Sequence, residues 1–321
     1  MIPSEDAAYM QSRDNVNIQD VGDRLDFIRR RCTCAAEVIM IIGGPSSQLL
    51  AGRVASILGE RVALCEYRTF PDGEAYTQLQ SEIDDDVVVI QSTPSDRDIV
   101  YLLQLLDIVR ERNITLVIPY FGYARQDKIF KPGEPLTARA IASALNPFLN
   151  DNSRVFTVNI HAPSVLTHFM CRAESLDATP HLAEEIRRLD LRDPVVISPD
   201  KGAMAMASRA SEILGCDFDH LEKTRHSGTE VSIAPKEIDV RGRDVVIMDD
   251  MIATGGTMAT AISMLRRQGA RSVHLAAVHP VLTGNALLKL YHAGVDRVTA
   301  TDTLDRGVST VSVAPLIAGS I

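Results

Sequence analysis

Short apolar runs recur along this chain from about Met40 to the C-terminal region, with longer and more polar segments between them. The runs are rich in Val and Ile and contain few polar positions, which is typical of strands that are buried on both faces of a sheet. Each is therefore a candidate strand. The runs are Val38–Ile42, Val62–Leu64, Val87–Ile90, Leu116–Ile118, Val155–Val158, Val195–Ile197, Val245–Met248, Val273–Val278 and Val298–Thr301.

The segments between the runs carry apolar residues at spacings of three and four, which predicts helices with one buried face. Examples are the sets Leu50, Val54, Ile57, Leu58 and Ile99, Leu103, Leu106, Val109. Continuous apolar strands that alternate with helices predict an α/β fold with doubly wound parallel sheets. A length of 321 residues is about twice that of a usual domain, so we expect two such domains in tandem.

The pattern also predicts where the domains begin and end. Residues 1–39 are polar apart from one amphipathic stretch, and we interpret them as an N-terminal extension. A charged stretch, Leu182–Pro194, ends in Asp-Pro and places the domain change nearby. We therefore expect a first domain over 40–185 and a second over 186–321, with the last residues as candidates to pack back on the first domain.

Composition excludes several classes of protein. Apolar residues make up 45% and charged residues 23%, and no window approaches the ~18 apolar residues of a membrane helix. A net charge of −9 argues against a nucleic-acid surface. The five cysteines form no regular framework and no secretory signal is present, which favours a cytoplasmic protein. Cys32 and Cys34 lack the second pair of ligands that a zinc site needs.

The polar segment after Val245–Met248 is the strongest candidate for a binding site. It reads Asp249-Asp250-Met251-Ile252-Ala253-Thr254-Gly255-Gly256-Thr257 and leads into a predicted helix. Glycines allow backbone N–H groups to turn inward, and a helix N-terminus attracts anions, so the segment suits a phosphate. The paired carboxylates can accept hydrogen bonds from sugar hydroxyls or hold hydrated Mg²⁺. A tight turn with a capping Thr is the structural alternative, but a sugar phosphate fits the whole segment.

Other polar clusters also follow apolar runs directly, so we expect them at the same edge of a sheet. Phe70-Pro71-Asp72-Gly73-Glu74 has the composition of a turn, and Arg125-Gln126-Asp127-Lys128 that of a solvated loop. His161 ends the extended run Val155–Ile160, where a lone His is most often a surface residue. Lys223-Thr224-Arg225 is a weak motif by itself.

Taken together, these motifs resemble those of the ribose-phosphate pyrophosphokinases. The loop at Thr254–Thr257 is similar to the ribose-phosphate motif of type I phosphoribosyltransferase folds, and the Phe70 and Arg125 segments are similar to the two ATP segments of the pyrophosphokinases. The resemblance implies two tandem domains of the type I phosphoribosyltransferase kind. It also implies a homo-oligomer, with the Phe70 loop reaching the ATP site of a neighbouring subunit.

The resemblance assigns a role to each candidate residue. Ribose 5-phosphate binding is implied for Asp249, Asp250, Thr254, Gly255, Gly256 and Thr257, and ATP binding for Phe70, Asp72, Glu74, Arg125, Gln126 and Asp127. His161 and Asp200 are the implied Mg²⁺ ligands, and Lys223 and Arg225 the implied catalytic cations. Because Lys223 and Arg225 are both present, the sequence favours an active enzyme.

The implied reaction is the transfer of pyrophosphate from Mg–ATP to the 1-hydroxyl of ribose 5-phosphate, which gives 5-phosphoribosyl 1-pyrophosphate and AMP. A phosphoribosyltransferase that consumes this product and a catalytically silent regulatory partner are the alternatives. The chain departs from the usual family pattern at four positions, and several of these departures are tolerated in archaeal members. The four residues are Ala253, Asn159, Ile129 and Ala203.

Overall fold

The first half of the described chain forms a parallel sheet with a separate hairpin. The computed structural model describes residues 39–225, 231–235 and 238–321, with 223–225 and 231–235 as backbone alone. Its first sheet has the order β2-β1-β5-β6-β7-β8, and every neighbouring pair is parallel. The strands of this half are β1 (Ile39–Gly43), β2 (Arg61–Val62), β3 (Cys65–Thr69), β4 (Ala75–Leu79), β5 (Asp86–Ile90), β6 (Asn113–Ile118), β7 (Arg154–Val158) and β8 (Arg172–Leu176).

Helices connect these strands, as parallel pairing requires. They are α1 (Gln48–Leu58), α2 (Asp96–Ile108), α3 (Thr137–Leu145) and α4 (Thr179–Arg187), with 3₁₀ turns at Asn146–Phe148 and Pro163–His168. Helix α2 begins with a capping box, in which the Ser95 hydroxyl accepts from the N–H of Asp98 and the Asp98 carboxylate accepts from the N–H of Ser95. Its buried face carries Leu102, Leu105 and Leu106.

The second half repeats the architecture. Its sheet has the order β11-β10-β9-β12-β13-β14-β15, in which β10 and β11 are antiparallel and the other pairs are parallel. The strands are β9 (Val195–Ser198), β10 (Asp217–Arg225), β11 (Val231–Pro235), β12 (Asp244–Met251), β13 (Ser272–His279), β14 (Arg297–Thr301) and β15 (Ser309–Val311). The helices are α5 (Met204–Leu214), α6 (Gly256–Arg267), α7 (Ala286–His292) and α8 (Ala314–Ala318).

The predicted α/β fold with two doubly wound sheets is therefore confirmed. The predicted strand at Val62–Leu64 is only partly correct, because β2 ends at Val62 and the next strand begins at Cys65. The hairpin of β3 and β4 was not predicted, since its residues are half-exposed and mixed in polarity and give no apolar run. No helix in the part of the chain that the structure describes is long and apolar enough to cross a membrane.

One apolar cluster is shared by both halves. Val117 and Val158 of the first sheet belong to the same buried cluster as Val246 and Met248 of the second. Helix α8, near the end of the chain, packs against helix α1 of the first half. Separate clusters fill the outer face of each sheet. The two sheets are therefore joined by core packing as well as by the connecting chain.

The strand order places the candidate site. After β9 the chain forms β10 on one side of it, and β12 then adds on the other side, so the direction of strand addition reverses between β9 and β12. In doubly wound sheets, ligands bind beyond the carboxyl ends of the strands at such a reversal. The loops that carry Asp200 and Thr254–Thr257 follow β9 and β12 respectively.

Candidate active site

The predicted phosphate loop lies between β12 and α6. Strand β12 continues through Asp249 and Asp250 to Met251, and helix α6 begins at Gly256. Gly255 has φ +72°, a left-handed conformation that favours glycine. A Cβ atom at Gly255 would also lie 3.1 Å from the carbonyl oxygen of Ala286, so a side chain there would make a tight contact with the backbone. The turn thus brings the N-terminus of α6 and its N–H groups to the cavity, where they can bind an anion.

The two acids before the loop differ in charge. Burial, together with the neighbouring charge of Asp250, raises the pKa of Asp249 well above its ordinary value. Burial also raises the pKa of Asp250, but the hydrogen bond and charge of His161 outweigh this effect and lower it. The pair therefore combines a carboxylate at Asp250 with a carboxyl group at Asp249 that holds its proton more strongly.

His161 follows β7 of the first sheet, yet it contacts the second half of the chain. Its Nδ1 atom lies 2.5 Å from Oδ2 of Asp250. This hydrogen bond raises the pKa of His161, although partial burial opposes the rise. The other ring nitrogen, Nε2, takes no part in this contact. A histidine whose Nδ1–H donates to a carboxylate has the orientation that is common for metal ligands.

These residues line one cavity of about 1150 Å³ between the two halves. The cavity contains the predicted residues Arg125, His161, Asp200, Asp249, Asp250, Thr254, Gly255, Gly256 and Thr257. Ala253 also lines it, so this position presents a methyl group to the cavity. The structure thus brings together the predicted sugar-phosphate residues, the predicted metal ligands and one residue of the predicted ATP segments, Arg125.

Asp200 lies in the turn after β9 and is exposed. Its Oδ1 atom accepts hydrogen bonds from the N–H groups of Gly202 and Ala203, at 2.7 and 3.3 Å. These bonds fix the carboxylate at the rim of the cavity. The negative charge of Asp200 also contributes to the raised pKa of Asp249. Asp200 and His161 therefore line the same cavity from different halves of the chain.

Phe70 lies at the tip of the hairpin between β3 and β4. The sequence Pro-Asp-Gly forms the turn as expected, with Gly73 at φ +97°. The Phe70 side chain is 47% exposed, and its ring contacts Tyr76 at 5.6 Å between centroids. Asp72 and Glu74 are exposed on the same turn. Within the described residues, none of these three side chains lines the cavity.

The second of the two predicted ATP segments, Arg125 to Asp127, follows β6. Arg125 is exposed and lines the cavity, whereas Gln126 is half-buried and its Oε1 accepts a hydrogen bond from the Thr137 hydroxyl at 2.6 Å. The negative charge of Asp127 acts on His161 and raises the pKa of the imidazole. This cluster is therefore adjacent to His161, although Gln126 and Asp127 do not line the described cavity.

Lys223 and Arg225 lie near the end of β10. Their backbones pair with those of Ile233 and Val231 in the antiparallel strand β11. Their side chains, and the polar run 226–230 that follows, are outside the described residues. The N-terminal extension, with Cys32 and Cys34, is outside them as well.

An ion pair beside the cavity, formed by Asp177 and Arg209, was not predicted from the sequence. Oδ2 of Asp177 lies 2.7 Å from Nε of Arg209 on α5, and both residues line the cavity. Burial raises the pKa of Asp177, but hydrogen bonds from Thr179 and Asn159, with the charge of Arg209, lower it overall. Asp177 follows β8, whose mixed polarity produced no apolar run. His161 and Asp200 were found because each follows an apolar run, and no such run precedes Asp177.

A phosphate loop at the reversal point of one parallel sheet, which faces a second parallel sheet, defines a protein with two domains of the type I phosphoribosyltransferase kind. A family model described as the N-terminal domain of ribose phosphate pyrophosphokinase matches residues 39–148. A phosphoribosyl transferase domain model matches residues 172–312. The chain belongs to the ribose-phosphate pyrophosphokinase family.

Individual relatives agree with this assignment. The chain is 53% identical over 286 residues to a ribose-phosphate pyrophosphokinase of Methanosarcina mazei, which covers 88% of this chain and 95% of the relative. It is 44% identical to that of Methanothermobacter thermautotrophicus, over 87% and 98% of the two chains. The crystal structure of phosphoribosylpyrophosphate synthetase from Mycobacterium smegmatis superposes with a TM-score of 0.77 at 30% identity, over 88% and 97% of the chains. The expected family, fold and pyrophosphokinase activity are confirmed.

Proposed function

We propose that the cavity between the two halves is where pyrophosphate is transferred from ATP to ribose 5-phosphate. The oxygen of the sugar 1-hydroxyl bonds to the β-phosphorus of ATP, the bond from that phosphorus to the α–β bridging oxygen breaks, and AMP leaves. The hydroxyl proton is released. The observation that carries this proposal is the meeting of the Thr254–Thr257 loop, the Asp249–Asp250 pair and His161 in one cavity.

Ribose 5-phosphate is proposed to bind with its phosphate at the N-terminus of α6. The left-handed turn at Gly255 supports this, since it gives a phosphate close access to backbone N–H groups. The hydroxyls of Thr254 and Thr257 can add hydrogen bonds. Asp249 and Asp250, near the end of β12, can bind the ribose hydroxyls. The raised pKa of Asp249 supports this role, because a carboxyl group that keeps its proton can both donate and accept.

His161 and Asp200 are proposed to hold Mg²⁺, and the carboxylate of Asp200 fits the preference of the ion for oxygen ligands. Mg²⁺ is usually bound by one or two carboxylates together with phosphate oxygens and waters. Asp200 supplies a carboxylate at the rim of the cavity, and Nε2 of His161 is turned away from Asp250 by the Nδ1 contact. When bound, the ion would neutralise phosphate charge. Phosphate oxygens of the substrate and waters would complete the coordination.

ATP is proposed to bind next to His161, through the cluster that follows β6 and through the hairpin tip. Arg125 can stack on the adenine, as a planar guanidinium stacks on aromatic faces. Phe70 lies on an exposed hairpin with its ring half-open to solvent, which suits contact with a second copy of the chain. We therefore propose a homo-oligomer in which Phe70, Asp72 and Glu74 complete the ATP site of a neighbour.

Lys223 and Arg225 are proposed to neutralise the charge that spreads over the transferred group. Transfers at phosphorus have loose transition states, so positioning and charge stabilisation dominate catalysis. Both residues lie in β10, which pairs directly with β9, the strand that leads to Asp200. A cytoplasmic location is also proposed, supported by the thiols of Cys65, Cys171 and Cys216, which are all unpaired.

The products formed from ATP, Mg²⁺ and ribose 5-phosphate test the proposal. Chromatography of the nucleotides should reveal AMP in an amount equal to the phosphoribosyl pyrophosphate formed. An ordinary kinase would release ADP. A phosphoribosyltransferase or a silent regulatory partner would give no nucleotide product, and either of these results would overturn the proposal.

A further inference from the structure

Asn159, two residues before His161, has a left-handed backbone conformation and several hydrogen bonds that hold it in place. Its φ angle is +36°, in the left-handed region that few residues other than Gly adopt without cost. Its side chain is held at both ends: Oδ1 accepts from the N–H of Ala178 at 2.7 Å, and Nδ2 donates to Oδ1 of Asp177 at 3.0 Å. Its own N–H donates to the carbonyl of Leu176 at 2.8 Å. The first sheet thus fixes every polar group of Asn159 except its carbonyl.

The carbonyl of Asn159 is contacted by His279 of the second half. His279 is the last residue of β13 and is 2% exposed. Its Nε2 atom lies 3.4 Å from the Asn159 carbonyl oxygen, and its Nδ1 atom lies 2.9 Å from the Thr303 hydroxyl. Its ring also packs on Tyr120 of the first half, with 5.0 Å between centroids. His279 therefore spans the boundary between the halves behind the cavity, whose described lining does not include it.

The partners of His279 define where its proton lies. A carbonyl oxygen can only accept, so Nε2 must carry hydrogen to bond to Asn159. Burial lowers the pKa of His279 to about 4, so the ring is neutral near pH 7. Nδ1 is then an acceptor, and the Thr303 hydroxyl can donate its single hydrogen either to Nδ1 or to the carbonyl of Val278 at 3.0 Å. One tautomer thus satisfies both contacts, and the Asn159 carbonyl, which can only accept, selects that tautomer.

We propose that His279 is a positioning residue, which holds the Asn159 carbonyl and thereby sets the orientation of His161 toward Asp250. The link is short, since only Ile160 separates Asn159 from His161. Ile160 is itself buried, and its N–H donates to the Ser175 hydroxyl at 3.0 Å. The expectation that His161 matters for activity rests on the proposed function. The inference that His279 positions the His161 ring does not depend on it. Residues that hydrogen-bond directly to the ring of a metal-binding His typically affect activity by about 10–100-fold, and we expect this more remote contact to have an effect at the low end of that range.

Nitrogen NMR tests the positioning of the His161 ring directly, in the absence of substrate and metal. The protein is prepared with isotopically labelled histidine side chains. The Nδ1 resonance of His161 reports its bond to Asp250, and Asp250→Asn provides the signal of the weakened pair. In His279→Phe, which keeps a ring but loses the N–H donor, we expect the His161 signal to move toward that of Asp250→Asn. In His279→Gln, which keeps an N–H donor, we expect it to return toward the wild-type position. An unchanged His161 signal in a folded His279→Phe protein overturns the proposal, as does an equal shift in both variants.

A milder variant keeps the proposal testable where His279→Phe does not fold. Thr303→Val is close to isosteric and removes only the hydroxyl that contacts Nδ1 of His279. We expect a smaller shift of the His161 signal in the same direction, and no shift contradicts the proposal. Steady-state kinetics then distinguish the positioning role of His279 from the proposed role of His161 in activity. A roughly tenfold fall in kcat with a near-normal KM for ATP supports both. A moved NMR signal with unchanged kinetics contradicts only the role of His161.

Discussion

The Nδ1 atom of His161 lies 2.5 Å from Oδ2 of Asp250, although 89 residues separate the two in sequence. His161 extends from the first sheet and Asp250 belongs to the second, so the contact joins the halves of the molecule at the cavity. It also links the proposed metal ligand to the proposed sugar ligand. A change on either side is therefore expected to affect both.

Replacing Asp250 by Asn should lower the pKa of His161. The carboxylate raises that pKa in the wild type through its hydrogen bond and its charge, and an amide is a neutral and weaker acceptor. We expect kcat/KM to fall by about 10–100-fold. Titration of the His161 resonances measures the pKa. In the matched variant Asp249→Asn, the Asp250 contact is retained, so the pKa of His161 should move less; an equal fall in both would contradict this explanation.

Gly255→Ala should raise the KM for ribose 5-phosphate by at least about tenfold, since a misplaced contact of this kind costs one or more factors of ten. The new Cβ would lie 3.1 Å from the Ala286 carbonyl and would displace the loop. Gly59→Ala is a matched control, because Gly59 has φ +73° but no atom within 4 Å of the added Cβ. Both variants carry the backbone cost, and only Gly255→Ala should change the sugar KM. A similar KM in the two proteins would show that the loop tolerates the contact.

The buried carboxylate of Asp244 should make stability depend on pH. It accepts bonds from Arg271, from the Ser272 hydroxyl at 2.6 Å and from the Arg192 N–H at 2.8 Å. Burial raises the pKa of Asp244, but these bonds outweigh it and lower the pKa to about 2. Because the folded pKa lies below the unfolded one, the stabilisation of about 2 kcal/mol is present above pH 4 and lost as the pH falls toward 2.

Urea denaturation of Asp244→Asn measures this contribution. At pH 7 the variant should lose at least about 2 kcal/mol of unfolding free energy, and the difference from wild type should shrink as the pH approaches 2. Exposed Asp151 offers a control, for which Asp151→Asn should change stability little at either pH. A pH-independent loss in Asp244→Asn would mean that packing and not charge is responsible.

Lys223→Ala should lower kcat by at least about 10³-fold, because a cation at a transferring phosphoryl group has an effect of this size. The binding of ATP should change only modestly, since the charge is needed in the transition state. Single-turnover kinetics with a separate measurement of ATP binding distinguish the two effects. Near-normal turnover would remove Lys223 from the proposed mechanism.

Mixing two impaired variants tests the proposal that two subunits contribute to each ATP site. If Phe70 of one subunit serves the site of another, then Phe70→Ala and Lys223→Ala affect different halves of each composite site. Co-expression of the two variants should restore part of the activity that each lacks alone, because some sites combine an intact Phe70 with an intact Lys223. Absence of any recovery in mixed oligomers, verified by differently tagged subunits, would place both residues in one subunit's site.

The sequence predicted the parts of the fold and site that depend on local pattern. Apolar runs marked the buried parallel strands, and the polar residues that follow them located Asp249, Asp250 and Asp200 at one edge. The carboxyl ends of parallel strands meet at that edge, so position along the chain was sufficient. The β3–β4 hairpin was missed because its strands are half-exposed and have no continuous apolar run.

Contacts between distant segments could not be predicted in this manner. Arg209 has no local signal that pairs it with Asp177, since that contact requires α5 to pack beside the start of α4. His279 ends an apolar run just as His161 does, and the run alone does not reveal that one ring is exposed and the other buried. The Asp177–Arg209 ion pair and the burial of His279 both depend on the packing of segments that are distant in sequence.

The apolar cluster that both sheets share has a practical consequence for fragments of this chain. Val117 and Val158 from one sheet pack in the same cluster as Val246 and Met248 from the other. Either half, produced alone, would expose this surface to water and is expected to aggregate or to bind the other half when the two are co-expressed. The whole chain should therefore melt in a single calorimetric transition, and ligands of one sheet should protect the other from proteolysis.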